Sequence, residues 1–310
     1  KIWLLTFQVI EYVLSKFVGI KIISELKATS RSAGILLMVF IAGVSWVFFA
    51  VVPAPYNIVF LFTNGLPLGL VWGMIFGHLE GRRYTEVLGA GLSISFIFSS
   101  GLVKSSGGLI MRDFGVSEMW MPFVTCCIFL VPLLVFLWFL DKLPPPSRVD
   151  EELRTRRQPM NSYNRFYFVK SFWPGIVLFT LSYMILTTFR EFRDNFSAEI
   201  WKSLGFGNSP EIFTITEVPV SIAILMVMGS LILIRNNQTA LILNHLIIFI
   251  GMILIGVGTF LFQNQTIGAE IWMILIGTGL YLGYVPFNSI FFDRLLASFR
   301  YVGTVGFLIY

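Results

Sequence analysis

The chain has 310 residues, of which 56% are hydrophobic and only 13% are charged, and its mean hydropathy is +0.81. Soluble domains carry about a quarter charged residues, so the composition excludes a soluble globular protein. The net charge of +5 is spread over short loops between apolar runs, which is typical of membrane proteins and not of a nucleic-acid-binding surface. Cys126 and Cys127 are adjacent within an apolar run, so neither a disulfide nor a metal site is expected from them.

Uncharged apolar runs of about 18–22 residues recur along the chain, and this is the length that an α-helix needs to cross a bilayer. They predict an all-α, polytopic protein that lies in a lipid bilayer. A further run begins near Tyr301 and is cut short, and the first run has no preceding Met. We therefore expect the sequence to be a fragment of a longer chain. The complete predicted spans cover residues 2–22, 32–52, 57–78, 86–110, 119–140, 171–190, 213–234, 240–262 and 270–292.

Basic residues are concentrated in every second loop between these spans. The alternate loops hold only Arg112, Arg193 and Lys202. By the positive-inside rule the basic loops face the cytoplasm. This distribution predicts a multi-pass protein of the cytoplasmic (inner) membrane in which the longest loop, 141–170, is a cytoplasmic linker. The basic residues of the cytoplasmic loops fall within 21–31, 82–83, 142–170, 235 and 294–300.

A short motif recurs in the two parts of the chain. Residues 65–69 read GLPLG and residues 279–283 read GLYLG, each midway along an inward-running span. Two weaker matches follow the same order and are also separated by roughly 210 residues, which corresponds to six spans. The repeat predicts two six-helix halves in parallel orientation. The weaker matches pair Phe7 and Glu11 with Phe213 and Glu217, and Arg83 and Tyr84 with Arg300 and Tyr301.

Two such halves joined by a cytoplasmic linker resemble the plan of the major facilitator superfamily. Residues 19–31, GIKIISELKATSR, are similar to the superfamily's loop between helices two and three, with the acidic residue displaced to Glu25 and the second glycine absent. Residues 77–86, GHLEGRRYTE, resemble its loop between helices four and five. Taken with the stretches SKFVGIK and FREFRDNF, the chain resembles a divergent bacterial branch known only as a domain of unknown function.

The resemblance implies a domain order. An N-terminal half, 1–140, would hold helices two to six, and a C-terminal half, 171–310, would hold helices seven to ten and part of eleven, with the linker 141–170 between them. The first helix and the C-terminal end of the fold would lie outside the sequence. The spans expected to surround a central cavity are 2–22, 57–78, 86–110, 171–190, 213–234 and 270–292, and those expected outside it are 32–52, 119–140 and 240–262.

Four charged residues stand where the apolar run of residues 178–199 should end: Arg190, Glu191, Arg193 and Asp194. Ionisable residues at membrane depth are costly unless they are paired or hydrated, so they indicate a functional site. Arg190 and Asp194 are four residues apart on one helical face and are expected to pair. Glu191 is the second expected counter-ion of Arg190. Arg193 lies off that face and is expected to be free to meet a ligand. The alternative is an outer helix end whose charges reach the lipid headgroups.

Lys104 is a further candidate. At a rise of 1.5 Å per residue, Lys104 and Arg190 both lie about 27 Å from the expected cytoplasmic ends of their helices. Two cations at one depth would attract an anionic substrate, unless Lys104 extends outward to the headgroups. Glu11 and Glu217 occupy matching places in the repeat and are either proton-coupling groups or counter-ions, with Glu11 expected beside Lys104; the alternative is solvation at helix ends. The candidate substrate-binding residues are Arg190, Lys104, Arg193, Tyr183, Asn288 and Tyr284, and the candidate proton-coupling residues or counter-ions are Glu11, Glu217, Asp194 and Glu191.

Charged residues of the cytoplasmic loops are candidates for a gating latch that pairs in one state and separates in the other. These features together predict a secondary active transporter, an antiporter or symporter, that moves a small anionic metabolite by alternating access with proton or anion coupling. The protein is expected to be a monomer, to need no cofactor and to bind no metal. The alternatives are a transporter-derived sensor that binds without translocating and a membrane-embedded enzyme, and the enzyme is disfavoured because clustered histidines or paired carboxylates are lacking. The gating candidates are Glu80, Arg82, Arg83, Glu25 and Arg31.

Overall fold

The computed structural model describes residues 6, 7, 10, 11, 14, 15, 19, 30–79, 85–144, 162–234, 236–289, 291 and 295. The regular secondary structure of this part of the chain is entirely helical. We number its helices in chain order. They are α1 (Arg31–Val51), α2 (Ile58–Leu79), α3 (Thr85–Phe114), α4 (Met121–Asp141), α5 (Ser162–Asn195), α6 (Ser197–Ser203), α7 (Ile212–Ile232), α8 (Asn237–Gln263) and α9 (Ala269–Ser289).

All of these helices except the short α6 are long and apolar enough to cross a membrane. Inside a bilayer each backbone N–H and C=O group must be bonded within its own segment, which explains why the long apolar runs fold as helices. The eight helices coincide with eight predicted spans, and together they indicate a multi-pass membrane protein. The described residues of the first predicted span, 2–22, are also helical. The run near Tyr301 lies outside the described residues.

Two helices extend beyond their predicted ends. Helix α5 begins at Ser162, inside the segment predicted as linker, and continues through the charged residues to Asn195. Helix α3 continues to Phe114. Hydropathy marks only the apolar part of a helix, whereas polar turns continue it when their side chains find partners. The charges of α5 are therefore held within a helix and do not follow its end.

The chain forms two compact units. One comprises Lys1–Arg82 and Ser106–Glu151, and the other comprises Arg83–Ser105 and Glu152–Tyr310. Helix α3 contributes to both, and the unit that contains α5 also contains Lys104. The division into halves at 141–170 remains a prediction.

The first unit is held by contacts among α1, α2 and α4. Asn64 of α2 is buried and donates a hydrogen bond from Nδ2 to the carbonyl oxygen of Ala42 in α1, over 2.9 Å. At the start of α1, the Ser32 hydroxyl donates to a carboxylate oxygen of Asp141, the last residue of α4. Interhelical hydrogen bonds of this kind fix the register of helices that lipid alone would not hold together. The apolar core of the unit is formed by Ile35, Leu70, Met74 and Leu137.

The second unit is built around α7 and α9. Helices α8 and α9 approach most closely at Gly251 and Gly279, where a Cβ atom on either glycine would lie 2.5 Å from the carbonyl oxygen of the other. Small residues let two membrane helices approach closely, and at this crossing the distance leaves no room even for a methyl group. The N-terminal part of α3 completes the unit by packing on α7 and α9. The apolar core comprises Ala90, Ile94, Ile97, Val220, Ile224, Met228, Leu231, Tyr281, Leu282 and Val285.

Candidate functional site

Six charged residues lie close together in the second unit, and we call them the charged cluster. Helix α5 contributes four of them from its last two turns, while α3 and α7 contribute one each. Three are cations and three are carboxylates, so the cluster is balanced in charge. All of them belong to helices of membrane-spanning length, where an unpaired charge would be costly. The members are Lys104, Arg190, Glu191, Arg193, Asp194 and Glu217.

The most deeply buried pair joins α5 to α7. Arg193 Nη2 lies 2.7 Å from Glu217 Oε1, and the two side chains are only 6% and 10% exposed. Arg193 Nη2 also lies 3.4 Å from the carbonyl oxygen of Met273 in α9. Space for the guanidinium group comes from Gly277, because a Cβ atom there would lie 2.7 Å from Arg193 Nη2. The second carboxylate oxygen of Glu217 is buried and has no hydrogen-bond partner among the described residues.

Asp194 connects three helices. The Lys104 ammonium group of α3 donates to the Asp194 carbonyl oxygen over 3.1 Å and lies 3.6 Å from carboxylate oxygen Oδ1. Arg193 Nη1 is 3.9 Å from the same Oδ1 atom, and the Tyr281 hydroxyl of α9 lies 3.4 Å from Oδ2. The Ser197 hydroxyl donates to the Asp194 carbonyl as well, over 2.9 Å. Asp194 therefore joins α5 to both α3 and α9.

A neutral contact between α3 and α7 lies beside these ion pairs. The Ser105 hydroxyl accepts a hydrogen bond from the Thr214 backbone N–H over 3.0 Å, and the two hydroxyl oxygens are 2.7 Å apart. The first N–H groups of a helix have no partner within it, so Ser105 satisfies one such group of α7 from a neighbouring helix. One turn earlier, Gly101 lets the helices meet, since a Cβ atom there would lie 2.7 Å from Glu217 Cβ.

Arg190 is paired within its own helix. Its Nη2 atom donates to Glu191 Oε1, and the other carboxylate oxygen of Glu191 accepts from Asn195 Nδ2 over 3.2 Å. The guanidinium carbon lies 4.3 Å from the centre of the Tyr284 ring, which is the distance of a cation–π contact. Tyr183 stacks on Tyr284, with ring centres 5.4 Å apart and planes 16° apart. Arg190 Nε is buried and has no hydrogen-bond partner within the described part of the chain.

The structure differs from the sequence-based expectations in three pairings. Arg193, expected to be free for a ligand, is the most buried cation of the cluster and is bonded to Glu217. Lys104 binds Asp194, where Glu11 had been expected. Asp194, expected to pair with Arg190, contacts Lys104, Arg193 and Tyr281. The other expected counter-ion of Arg190, Glu191, is confirmed, because Arg190 Nη2 donates to Glu191 Oε1. The physical reason is that α5 remains helical to Asn195, so Arg193 and Asp194 face the packed helices.

Glu11 belongs to the first unit. Its side chain is buried against α2 at Gly65, where a Cβ atom would collide with the carboxylate group. Its Oε2 atom has no hydrogen-bond partner among the described residues. Arg31 is the first residue of α1. The remaining predicted positions, Glu25, Glu80, Arg82, Arg83 and the side chain of Asn288, lie outside what the structure describes.

Several residues of the site were not identified from the sequence, among them Thr214, Gly101 and Gly277. Thr214 is an ordinary helix-start residue, and its role depends on Ser105 of another helix. The two glycines are among the 27 in the chain, and nothing local distinguishes a glycine that admits an arginine from one that faces lipid. Each contact joins positions far apart in sequence, so a single sequence carries no signal for it.

The pairing of the charges limits how an anion could enter the cluster. Within the described residues no three His, Cys, Asp or Glu side chains are grouped as metal ligands. The cations are all engaged by carboxylates, so an incoming anion must displace one of them or arrive with a proton. Three buried atoms of the cluster have no hydrogen-bond partner among the described residues: Arg190 Nε, Arg193 Nε and Glu217 Oε2. A ligand oxygen could be accommodated at Arg190 Nε, on the less buried guanidinium group, and a proton at Glu217 Oε2.

The fold and site define a multi-pass helical membrane protein with a partly buried, charge-balanced ionic cluster. The whole chain, residues 1–310, matches the model of a family of unknown function, DUF5690. The protein therefore belongs to that family. Comparison with curated proteins and with solved structures gives no match.

Proposed function

We propose that the protein is a secondary active transporter of the major facilitator type that carries a small anionic metabolite by alternating access. The observation that supports this most is the charged cluster itself. Six ionisable groups on spanning helices are expensive to bury, and such groups usually mark substrate or ion pathways. The repeated motif at 65–69 and 279–283 supports two six-helix halves around a central site. The protein would act as a monomer in the inner membrane, without a cofactor, and with 141–170 in the cytoplasm.

Charge balance suggests how transport would be coupled. Protonation of Glu217 or Asp194 would leave the cluster with one excess positive charge, and an anion would restore the balance. Anion and proton would then move together, in symport. The buried second oxygen of Glu217, which lacks a hydrogen-bond partner among the described residues, is a place for that proton. Loop charges such as Arg31 and Arg82 would act as the gate.

Proteoliposomes that contain the whole protein test this function. Labelled monocarboxylates and phosphate esters are offered outside, with and without an inward proton gradient. We expect uptake of one anion class that the gradient accelerates and that Arg190→Gln abolishes. Arg112→Gln, which removes an exposed cation of α3, is the matched control and should transport normally. Saturable binding without uptake would instead support the sensor hypothesis, and chemical conversion of the anion would support the enzyme.

A further inference from the structure

Arg190 differs from the other two cations of the charged cluster in the way it is paired. Lys104 and Arg193 each bind a carboxylate on another helix, and these contacts connect α3, α5 and α7. Arg190 instead binds the carboxylate of the next residue in its own helix. A pair between helices opens only if the helices lose a contact, whereas a pair within one helix can open by a side-chain rotation. Arg190 is therefore the cation that can change partners while the fold remains intact.

Glu191 uses only part of what Arg190 offers. The Nε–H and one Nη2–H of a guanidinium group point to the same side and together form a fork for two oxygen atoms. Glu191 accepts from Nη2, while the buried Nε atom on that side has no partner among the described residues. The Glu191 side chain is 46% exposed, and its second oxygen is bonded to Asn195. Glu191 is thus a counter-ion that contacts Arg190 through a single oxygen atom, and its side chain can rotate toward water and Asn195.

The aromatic residues of α5 and α9 hold the guanidinium group in place. The guanidinium carbon of Arg190 lies over the Tyr284 ring, 4.3 Å from its centre, and Tyr183 supports Tyr284 by stacking. A cation–π contact uses the charge of the guanidinium group and consumes none of its N–H donors. The donors on the Nε side therefore stay available for a planar, bidentate bond to a carboxylate.

Charge decides which anion fits. The cluster holds three cations and three carboxylates, so a monoanion that takes the place of Glu191 leaves the net charge of the cluster unchanged. A dianion would add a negative charge that no cation of the cluster compensates. We propose that Arg190, with Glu191 as a displaceable counter-ion and Tyr284 as its platform, binds the carboxylate group of a monoanionic substrate. The inference names the substrate class of the proposed transporter and rests on that function for the transport step alone.

Equilibrium binding to the purified whole protein in detergent tests the assignment. The probes are pyruvate and benzoate as monocarboxylates and glycerol 3-phosphate as a dianion, measured by titration calorimetry at neutral pH. We expect Arg190→Gln to weaken monocarboxylate binding by about 10- to 100-fold, as the loss of charge-assisted hydrogen bonds implies. Arg190→Lys should restore it only in part, since an ammonium group lacks the fork.

Glu191→Gln gives a result that general damage to the protein could not. Removing a competing, half-exposed counter-ion should tighten monocarboxylate binding by about two- to fivefold. Glu199→Gln, an exposed Glu→Gln change in α6, is the matched control and should bind as the unaltered protein does. Unchanged or weaker binding by Glu191→Gln, equal binding by Arg190→Gln, absence of monocarboxylate binding, or preference for the dianion would each overturn the inference.

The binding inference and the transport proposal can be refuted independently of each other. Monocarboxylate binding that depends on Arg190 but is not followed by uptake into proteoliposomes would support this inference and contradict transport. Uptake of a phosphate ester, with no monocarboxylate binding, would contradict this inference and leave transport standing.

Discussion

The buried pair of Arg193 and Glu217 allows the sharpest test of the structure. Its two charged atoms are 2.7 Å apart, and both side chains are almost fully removed from the surface. Beyond Glu217, the polar contacts of Arg193 with described residues are longer, 3.4 Å to the Met273 carbonyl and 3.9 Å to Asp194. Removing Glu217 would therefore leave a buried guanidinium group largely uncompensated, at a cost of about 3–5 kcal/mol.

A double-mutant cycle isolates the pair. We expect Glu217→Leu and Arg193→Met each to destabilise the protein strongly, because each leaves one charge buried alone. The double variant leaves neither charge buried alone. Its loss of stability should therefore be about 2–3 kcal/mol smaller than the sum of the two single losses. The measurement is equilibrium unfolding in mixed micelles titrated with sodium dodecyl sulfate and followed by tryptophan fluorescence.

A control pair comes from the same chain. Arg112 and Asp113 form an ion pair at the end of α3, but their side chains are 42% and 47% exposed. The same substitutions there should show no measurable coupling, because water replaces the lost partner. Single effects at Arg193 and Glu217 that simply add would refute the claim that these two side chains are paired in the folded protein.

Two other substitutions test helix contacts by the same unfolding assay. Gly101→Ala should destabilise the protein by about 1–3 kcal/mol, because the new methyl group would meet Glu217 Cβ. Gly91→Ala is the control in the same helix, where the new methyl group meets nothing and should not destabilise the protein. Equal effects of the two substitutions would contradict the close approach of α3 and α7. Asn64→Leu should cost about 1–2 kcal/mol through loss of the buried bond to Ala42, and a stability equal to that of the unaltered protein would exclude this bond.

Hydropathy was sufficient to predict the spans. Apolar length is a local property of the chain, and eight predicted spans are helices of spanning length. The ends of α5 were not predictable in this way, because a run such as FREFRDN gives no hydropathy signal for helix. It remains helical since Arg193 and Asp194 find partners on α3, α7 and α9. Those partners come from the packing and not from the local sequence.

The sequence identified the charges of the site but not their pairing. Arg190, Arg193 and Lys104 stood out because charge is rare in an apolar run. Which carboxylate each one meets depends on residues far apart, such as Lys104 and Asp194, which are 90 positions apart. Spacing along α5 suggested that Asp194 would pair with Arg190. Contacts with α3 and α9 outweighed that local preference.

The recurring glycine motif had a physical meaning that the repeat alone could not define. Gly65 of the first copy lies against the Glu11 carboxylate, and Gly69 lies against the Ser15 side chain. In the second copy Gly279 meets the backbone of Gly251, and Gly283 meets Leu186 of α5. Each copy thus places glycines where another helix passes closely, although the residues that pass are different. Close helix packing is what small residues provide in a membrane.

Stability alone does not account for the charged cluster. Replacing a buried ion pair by apolar residues of similar volume is often neutral or stabilising, and apolar residues are abundant in this chain. A cluster that served only to stabilise the packing of α3, α5 and α7 could therefore often be replaced by leucine and phenylalanine without loss of stability. Ionic groups fix the register of the helices, as other polar contacts do, but they also allow a proton or an anion to exchange one partner for another. Exchange of partners at Arg190 and Glu191, beside the firmly paired Arg193 and Glu217, is a physical use for such groups that a purely structural role would not require.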